Sequence, residues 1–391
     1  MKLLSFFVRT GAFAFAFTAC IDVHAQTVTP GTNSNGSSAN AITTAVPFLS
    51  ISPNARSGAM GDVGVALSPE VNDTYWNPSK LAFLEEPTSL SLSYSPWLRN
   101  LIPDINLAYL SFAKRTDERT TFGASLRYFN LGTIELYDNN QNPQGTYQPN
   151  EFSFDASLAR KFGDNLSLGL TARYIYSNLT NGISVNSQQT NSASAVAADV
   201  SLFYRKPVQQ FGTDALFAFG ADISNIGTKM SYTDGGKKYF LPTNLKVGAA
   251  NTWFLDPENQ LTFSLDLNKL LVPTPPIRDV NGNIISGKDD DRSIVSGIFG
   301  SFSDAPGGFS EELKEISYSV GAEYMYSKIF ALRAGYFYEN PDKGNRQYFT
   351  LGAGFKYSDF NLDFSYLTAS QQTSPLANTL RFTLGYNFGK K

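Results

Sequence analysis

Apolar and polar residues alternate with a period of two along most of this chain. In Thr379–Phe388, Leu380, Phe382, Leu384, Tyr386 and Phe388 alternate with Arg381, Thr383, Gly385 and Asn387. Leu166, Leu168, Leu170, Ala172, Tyr174 and Tyr176 repeat the pattern. A period of two places one set of side chains on each face of a strand. The pattern predicts fourteen strands, over 88–95, 105–114, 119–130, 151–161, 165–176, 194–205, 213–224, 243–253, 259–269, 315–326, 329–338, 347–357, 359–368 and 378–388. Most are close to the length at which a tilted strand crosses a bilayer, about 9–11 residues. The second, 105–114, is apolar on both faces, and alternation does not assign its outward side. An open sheet cannot stand in lipid, because each unpaired edge N–H or C=O costs several kcal/mol. The strands are therefore expected to close into an all-β, antiparallel transmembrane barrel.

Charge placement and connection length sharpen this expectation. Arg127, Arg173, Lys246, Arg333, Lys356 and Arg381 all fall on the non-apolar register, as do Asp155, Asp199, Asp222, Asp266, Glu323 and Asp363. Arg or Lys facing lipid at mid-bilayer costs about 2–4 kcal/mol, so a lumenal orientation is expected. Connections alternate between short (Arg115–Glu118, Phe162–Asp164, Ser327–Lys328, Ser358) and long (Leu131–Asn150, Ser177–Ala193, Asn225–Pro242, Leu270–Lys314). Short inner turns and long outer loops mark outer-membrane barrels. Tyr176, Tyr324, Tyr326, Tyr338, Tyr366 and Tyr386 sit near strand ends, where a membrane interface favours amphipathic rings. A soluble sandwich would share the alternation, but not the uniform strand length or the terminal tyrosines.

The chain ahead of the first strand divides into three expected pieces. Residues 1–25 have the basic start, apolar core and Val23-His24-Ala25 site of a signal peptide. Phe17-Thr18-Ala19-Cys20 offers a weaker alternative, lipidation at Cys20. Residues 26–46 read as a flexible Thr/Ser/Asn/Gly-rich leader, 47–87 as a compact hatch, and 88–391 as the barrel. Cys20 and His24 are the only Cys and His, so cleavage after Ala25 leaves neither thiol nor imidazole. Thiolate or imidazole zinc sites, Cys nucleophiles and Ser-His-Asp triads then lack their side chains, and no enzyme and no cofactor is expected. A net charge of −3 offers no basic surface for nucleic acid.

Fourteen strands fall between a filled eight-stranded barrel and an aqueous porin of sixteen or more, so the lumen calls for a plug. In the hatch, the candidates are Asn54, Arg56, Gly58, Gly61, Asp62, Gly64, Asn77 and Pro78. The glycines read as backbone turns. A phosphate loop would need a preceding strand and a following Lys-Ser/Thr, and neither is present. Arg56 and Asp62 are expected to pair with lumenal charges such as Asp155 or Arg381, and Asn77-Pro78 to cap and start a helix. In the longest outer loop, Ile294, Val295, Ile298, Phe299, Phe302 and Phe309 lie among Gly and Ser. Such apolar surface either folds back over the barrel mouth or meets a partner.

Two resemblances follow from the hatch. Asp73-Thr74-Tyr75-Trp76-Asn77-Pro78-Ser79-Lys80-Leu81 resembles the corresponding run of the FadL family of outer-membrane proteins, with Ser79-Lys80 where Ala-Gly is usual. Phe48-Leu49-Ser50-Ile51 and Pro53-Asn54-Ala55-Arg56-Ser57-Gly58-Ala59-Met60-Gly61-Asp62-Val63-Gly64-Val65-Ala66 resemble the opening of the PorV/PorQ family of the type IX secretion system. This second resemblance implies an outer-membrane subunit that collects cargo through its C-terminal signal domain as it leaves the translocon. It also implies delivery to a surface attachment complex containing PorU, PorQ and PorZ. The FadL resemblance carries the alternative, a transporter of hydrophobic small molecules. A third reading is a structural barrel that binds lipopolysaccharide in the outer membrane.

Overall fold

The computed structural model describes residues 40–98, 104–137, 140–179, 184–185, 188–369, 376 and 378–389. The expected signal peptide, the lipidation candidate Cys20 and the leader up to residue 39 lie outside the described residues. Alternation sets the strands: β1 Thr88–Pro96, β2 Ile105–Arg115, β3 Thr120–Leu131, β4 Asn150–Lys161, β5 Leu166–Asn178, β6 Ala193–Gln210, β7 Thr213–Gly227. The second half supplies β8 Asn244–Phe254, β9 Asn259–Leu270, β10 Ile316–Tyr326, β11 Phe330–Tyr338, β12 Gln347–Tyr357, β13 Phe360–Ala369 and β14 Thr379–Phe388. Among the described residues these fourteen form one closed barrel, each strand antiparallel to its neighbours in sequence. β1 and β14 seal the seam, with Leu90 opposite Tyr386 and Leu92 opposite Leu384.

One register of each strand is apolar and faces outward: Leu170 is 60% exposed and Leu351 57%. The other register is small or polar and buried, as with Ser89, Ser91 and Ser93 on β1. All twelve strand charges named above lie on this inward register. Ten are buried, and Lys356 and Asp363, near the inner rim, are partly exposed. On β2 the inward residues include Leu107 and Tyr109, both buried. They are apolar because they pack against protein, not water, which is why alternation leaves this strand ambiguous.

The largest difference from the sequence expectation is at β6, which continues to Gln210 beyond Arg205-Lys206-Pro207. Pro207 pairs opposite Leu216, and the turn is Phe211-Gly212, with φ of 54° and 76°. Two left-handed residues give the twist that suits a tight hairpin. A proline discourages a strand assignment, yet this hairpin runs past the ends of its neighbours. The register shift between Ala198 and Val200 marks a bulge in the same strand.

Residues 40–87 run along the inward register from one rim to the other. At the outer rim the Ala45 N–H donates to Phe240 O (2.8 Å), in the β7–β8 connection, and the Asn40 N–H to Asp342 O (3.0 Å), in the β11–β12 connection. A 3-10 turn, Pro47–Ser50, buries Phe48 and Leu49 against Ile105, Leu107, Phe129 and Ile175 at the outer strand ends. Two single-turn helices follow, α1 (Ala55–Gly58) and α2 (Asp73–Trp76), then a second 3-10 helix, Pro78–Phe83. Phe83 reaches the inner rim, packing edge-on against Phe203 and lying under the Arg205 guanidinium. Gly335 lets this segment touch bare wall, because a Cβ there would overlap the Met60 backbone. Gly61 is itself left-handed, with φ of 71°.

The lipid-facing assignment makes a quantitative prediction. Leu351→Arg, at the middle of β12, should lower unfolding free energy in bilayers by about 2–4 kcal/mol. Denaturant titration followed by Trp fluorescence measures this, and an unchanged midpoint contradicts the outward orientation.

Candidate functional site

The chemistry of the molecule is concentrated where the N-terminal segment meets the wall. α1 presents Arg56, whose guanidinium donates twice to Glu323 on β10, Nε to Oε2 at 3.1 Å and Nη2 to Oε1 at 2.8 Å. Arg333 on β11 bridges onward from Glu323 (2.6 Å) to Asp363 on β13 (2.6 Å). Glu70 approaches Arg56 at 3.6 Å and accepts from Asn54 Nδ2 at 2.8 Å. Asn54 Oδ1 in turn accepts from Trp76 Nε1 at 2.8 Å. Paired guanidinium and carboxylate forks fix geometry as well as charge.

A second layer lies within the segment. Lys80 donates to Asp73 Oδ1 (2.6 Å) and to Gly64 O (2.7 Å), and both charged side chains are almost wholly buried. The Gly64 and Val65 N–H groups donate to Asp266 Oδ2 on β9 at 2.7 and 3.0 Å. Pro78 begins the second 3-10 helix, but Asn77 makes no side-chain cap. Its Nδ2 instead donates to Val65 O (2.9 Å) and Leu202 O (3.0 Å), joining the segment to β6. A buried amide within reach of two carbonyls is better satisfied there than at a short helix end.

Nearer the outer rim, Asp62 accepts from Arg381 Nη1 (3.0 Å) and from the Tyr348 hydroxyl (2.5 Å). Gly58 leaves room for the Arg381 side chain, since a Cβ there would meet its guanidinium. Asp62 thus reaches Arg381, as its charge suggests. Arg56 does not reach Asp155, which is held by Arg173 (2.6 Å) and Ser125 (2.9 Å). Sequence reasoning placed no role on Glu70, Asp73 or Lys80. The available signal was charge inside an otherwise apolar, Gly-punctuated stretch.

The long outer loop folds back over the mouth and still leaves apolar surface outside. α3 (Ile294–Gly300) is capped by Ser293, whose Oγ accepts from the Ser296 N–H at 3.3 Å. Its Gly297 lies against the Phe240 ring. α4 (Phe309–Lys314) is clamped through Glu312 to Lys269 (2.9 Å). Burial holds the Asp304 carboxyl above its usual range, partly offset by the Thr274 N–H and Arg292. Ile294 and Ile298 are half-buried, whereas Val295, Phe299 (75%), Phe302 and Phe309 (76%) are exposed.

A closed barrel of fourteen tilted strands with an apolar exterior and a polar, charged interior is a FadL-like outer-membrane β-barrel. The crystal structure of the P. putida toluene transporter TodX superposes with a TM-score of 0.51 at 11% identity, covering 86% of this chain and 99% of that one. The TodX deltaS2S3 mutant, a monoaromatic hydrocarbon channel, gives 0.50 at 13% identity with coverage of 86% and 99%. A Pseudomonas aeruginosa FadL homologue gives 0.41 at 11% identity, covering 87% and 99%. At these identities the likeness is one of fold alone. No curated protein sequence matches the chain. The family model of the type IX secretion system protein PorV matches residues 34–277, and the chain belongs to that family. It is an outer-membrane protein of type IX secretion.

The buried Asp73–Lys80 pair supplies a test of how the segment is held. Lys80→Met should lower unfolding free energy by about 3–5 kcal/mol, because it strands a buried carboxylate. Asp73→Leu/Lys80→Met should recover most of that loss. Equilibrium unfolding in detergent reads both, and a double variant no better than the single one contradicts the pairing.

Proposed function

We propose that this protein is a non-enzymatic carrier of the type IX system, binding exported cargo through its C-terminal signal domain and passing it to a surface attachment complex. On this reading residues 1–25 direct export, and 47–87 act as a plug in the barrel of 88–391. The observation that carries the proposal is the ion-paired and hydrogen-bonded contact between the N-terminal segment and three strands of the wall. Arg56–Glu323, Asp62–Arg381 and the Asp266 contacts to Gly64 and Val65 tie it to three separate strands. A lumen held in this way suits a docking subunit better than a conduit for folded protein. Membership of a type IX secretion family supports the same role; on this reading its partners are a translocon, PorU, PorQ and PorZ.

Loops on a rigid scaffold are where recognition concentrates. Exposed Val295, Phe299 and Phe309 make α3 and α4 the favoured landing place for a partner. The two principal cavities mix apolar side chains with charged ones, Leu49, Trp76 and Phe337 beside Lys246 and Arg173 in one and Phe83, Phe254 and Phe355 beside Arg56 and Glu323 in the other, so neither is the uniformly apolar pocket that the hydrophobic-transporter alternative calls for.

Deletion of the protein should abolish attachment of cargo to the cell surface while the outer membrane stays intact. Separating surface, medium and periplasmic proteins after deletion measures this, and normal attachment sinks the proposal. Phe299→Ser/Phe309→Ser should leave a folded, heat-modifiable barrel. Its affinity for a purified cargo C-terminal domain should fall roughly tenfold or more, since buried aromatic anchors at interfaces cost about 2 kcal/mol or more when truncated.

A further inference from the structure

Beneath the outer loops lies a cavity of about 120 Å³, bounded by Ser52 of the N-terminal segment and by the outer halves of β8, β9 and β10. Three of its wall residues form one inward row across adjacent strands. Lys246 on β8 is opposite Asn268 on β9, which is opposite Ser317 on β10. Lys246 is only 6% exposed, and its ammonium has no hydrogen-bond acceptor or ion-pair partner among the described residues. It rests instead on two rings, 4.3 Å from the Tyr75 centroid and 5.2 Å from that of Trp76. Ser52, 4% exposed, has a hydroxyl with no partner. The side chains of Asn268 and Ser317 likewise make no hydrogen bond among the described residues.

The acceptors around the same cavity are all engaged. Asp62 receives Arg381 and Tyr348, Glu339 receives Arg346, and Glu315 receives Lys269, Thr274 and Lys343. Its other cations are paired as well: Arg173 with Asp155 and Asp199, Lys343 with Glu311 and Glu315. Asp222, opposite Lys246 in register and close enough to feel its charge, has both carboxylate oxygens buried without a donor, but it does not line the cavity and forms no ion pair with Lys246. The lining therefore holds one ammonium without a hydrogen-bonded acceptor and three unpartnered side chains that can each donate or accept, while every carboxylate in it is engaged. A buried donor set of this kind is costly unless an acceptor fills it. Water could satisfy the hydroxyls and the Asn268 amide, but an ammonium in the same lining favours a negative group.

The geometry points to an anion-binding site, with Lys246, Asn268, Ser317 and Ser52 holding a small oxyanion, either phosphate or a short carboxylate. The volume is on the order of that which accommodates one ring-sized molecule. This site goes beyond the carrier role and does not depend on it: failure of either leaves the other standing.

The test uses the purified full-length protein in detergent, titrated calorimetrically with inorganic phosphate, acetate and benzoate. Saturable one-site binding of at least one probe is expected, and the preferred probe decides between phosphate and carboxylate chemistry. Lys246→Met should weaken it by about tenfold or more, and Lys246→Arg should retain it. Absence of saturable binding by all three probes overturns the assignment, as does binding that Lys246→Met leaves unchanged. Should Lys246→Met fail to give the heat-modifiable folded band, Asn268→Leu and Ser52→Ala take its place. Unaltered binding in both of those variants overturns it equally.

Discussion

Main-chain polar groups at membrane depth have no water to turn to, so every one must be satisfied inside the protein. That constraint decides the rest of this molecule. It requires a wall with no edge, which is why β1 meets β14. A closed wall with lipid outside then fixes which register is apolar. The remaining register collects the charges, and those charges, shut away from both lipid and bulk water, need partners. The N-terminal segment supplies some of them: Arg56 for Glu323, Asp62 for Arg381, and its own N–H groups for Asp266.

Buried ion pairs of this sort contribute little net stability, since desolvation offsets most of the attraction. Their effect here is positional. Arg56 forks onto one carboxylate, Asp62 accepts from one guanidinium and one phenol, and Asn77 bridges Val65 and Leu202. Sliding the segment by one residue would break all three at once. Bare glycine backbone such as Gly335 does the steric part, admitting Met60 at a distance no side chain would allow. Contact and charge therefore specify the same placement.

The strands were legible because lipid imposes a face on each one, and a face shows as alternation. Leu166 through Tyr176 illustrates this, and the observed β5 differs only by one residue at the start and two at the end. The outward face of β2, though not its extent, was illegible, because Leu107 and Tyr109 are covered by Phe48, Leu49 and Thr74, and nothing local distinguishes that cover from lipid. The end of β6 was hidden by Pro207, a residue whose usual meaning fails on a hairpin that outruns its neighbours. The partner of Arg56 was out of reach for another reason. Glu323 lies 267 positions away, and choosing it over Asp155 needs the curvature and stagger of the whole cylinder. The idle row of Lys246, Asn268 and Ser317 exists only once three strands are in register.

The route of residues 40–87 bears on how the molecule must be made. The chain is pinned to the β11–β12 and β7–β8 connections at one rim and passes into β1 at the opposite rim. A thread so tethered at both ends, with Trp76 and Phe83 along it, cannot be drawn through a finished cylinder. The sheet must therefore wrap around the segment while the seam is still open. Pairing of Leu90 with Tyr386 is then the closing stitch, and β14 completes the wall around residues 40–87.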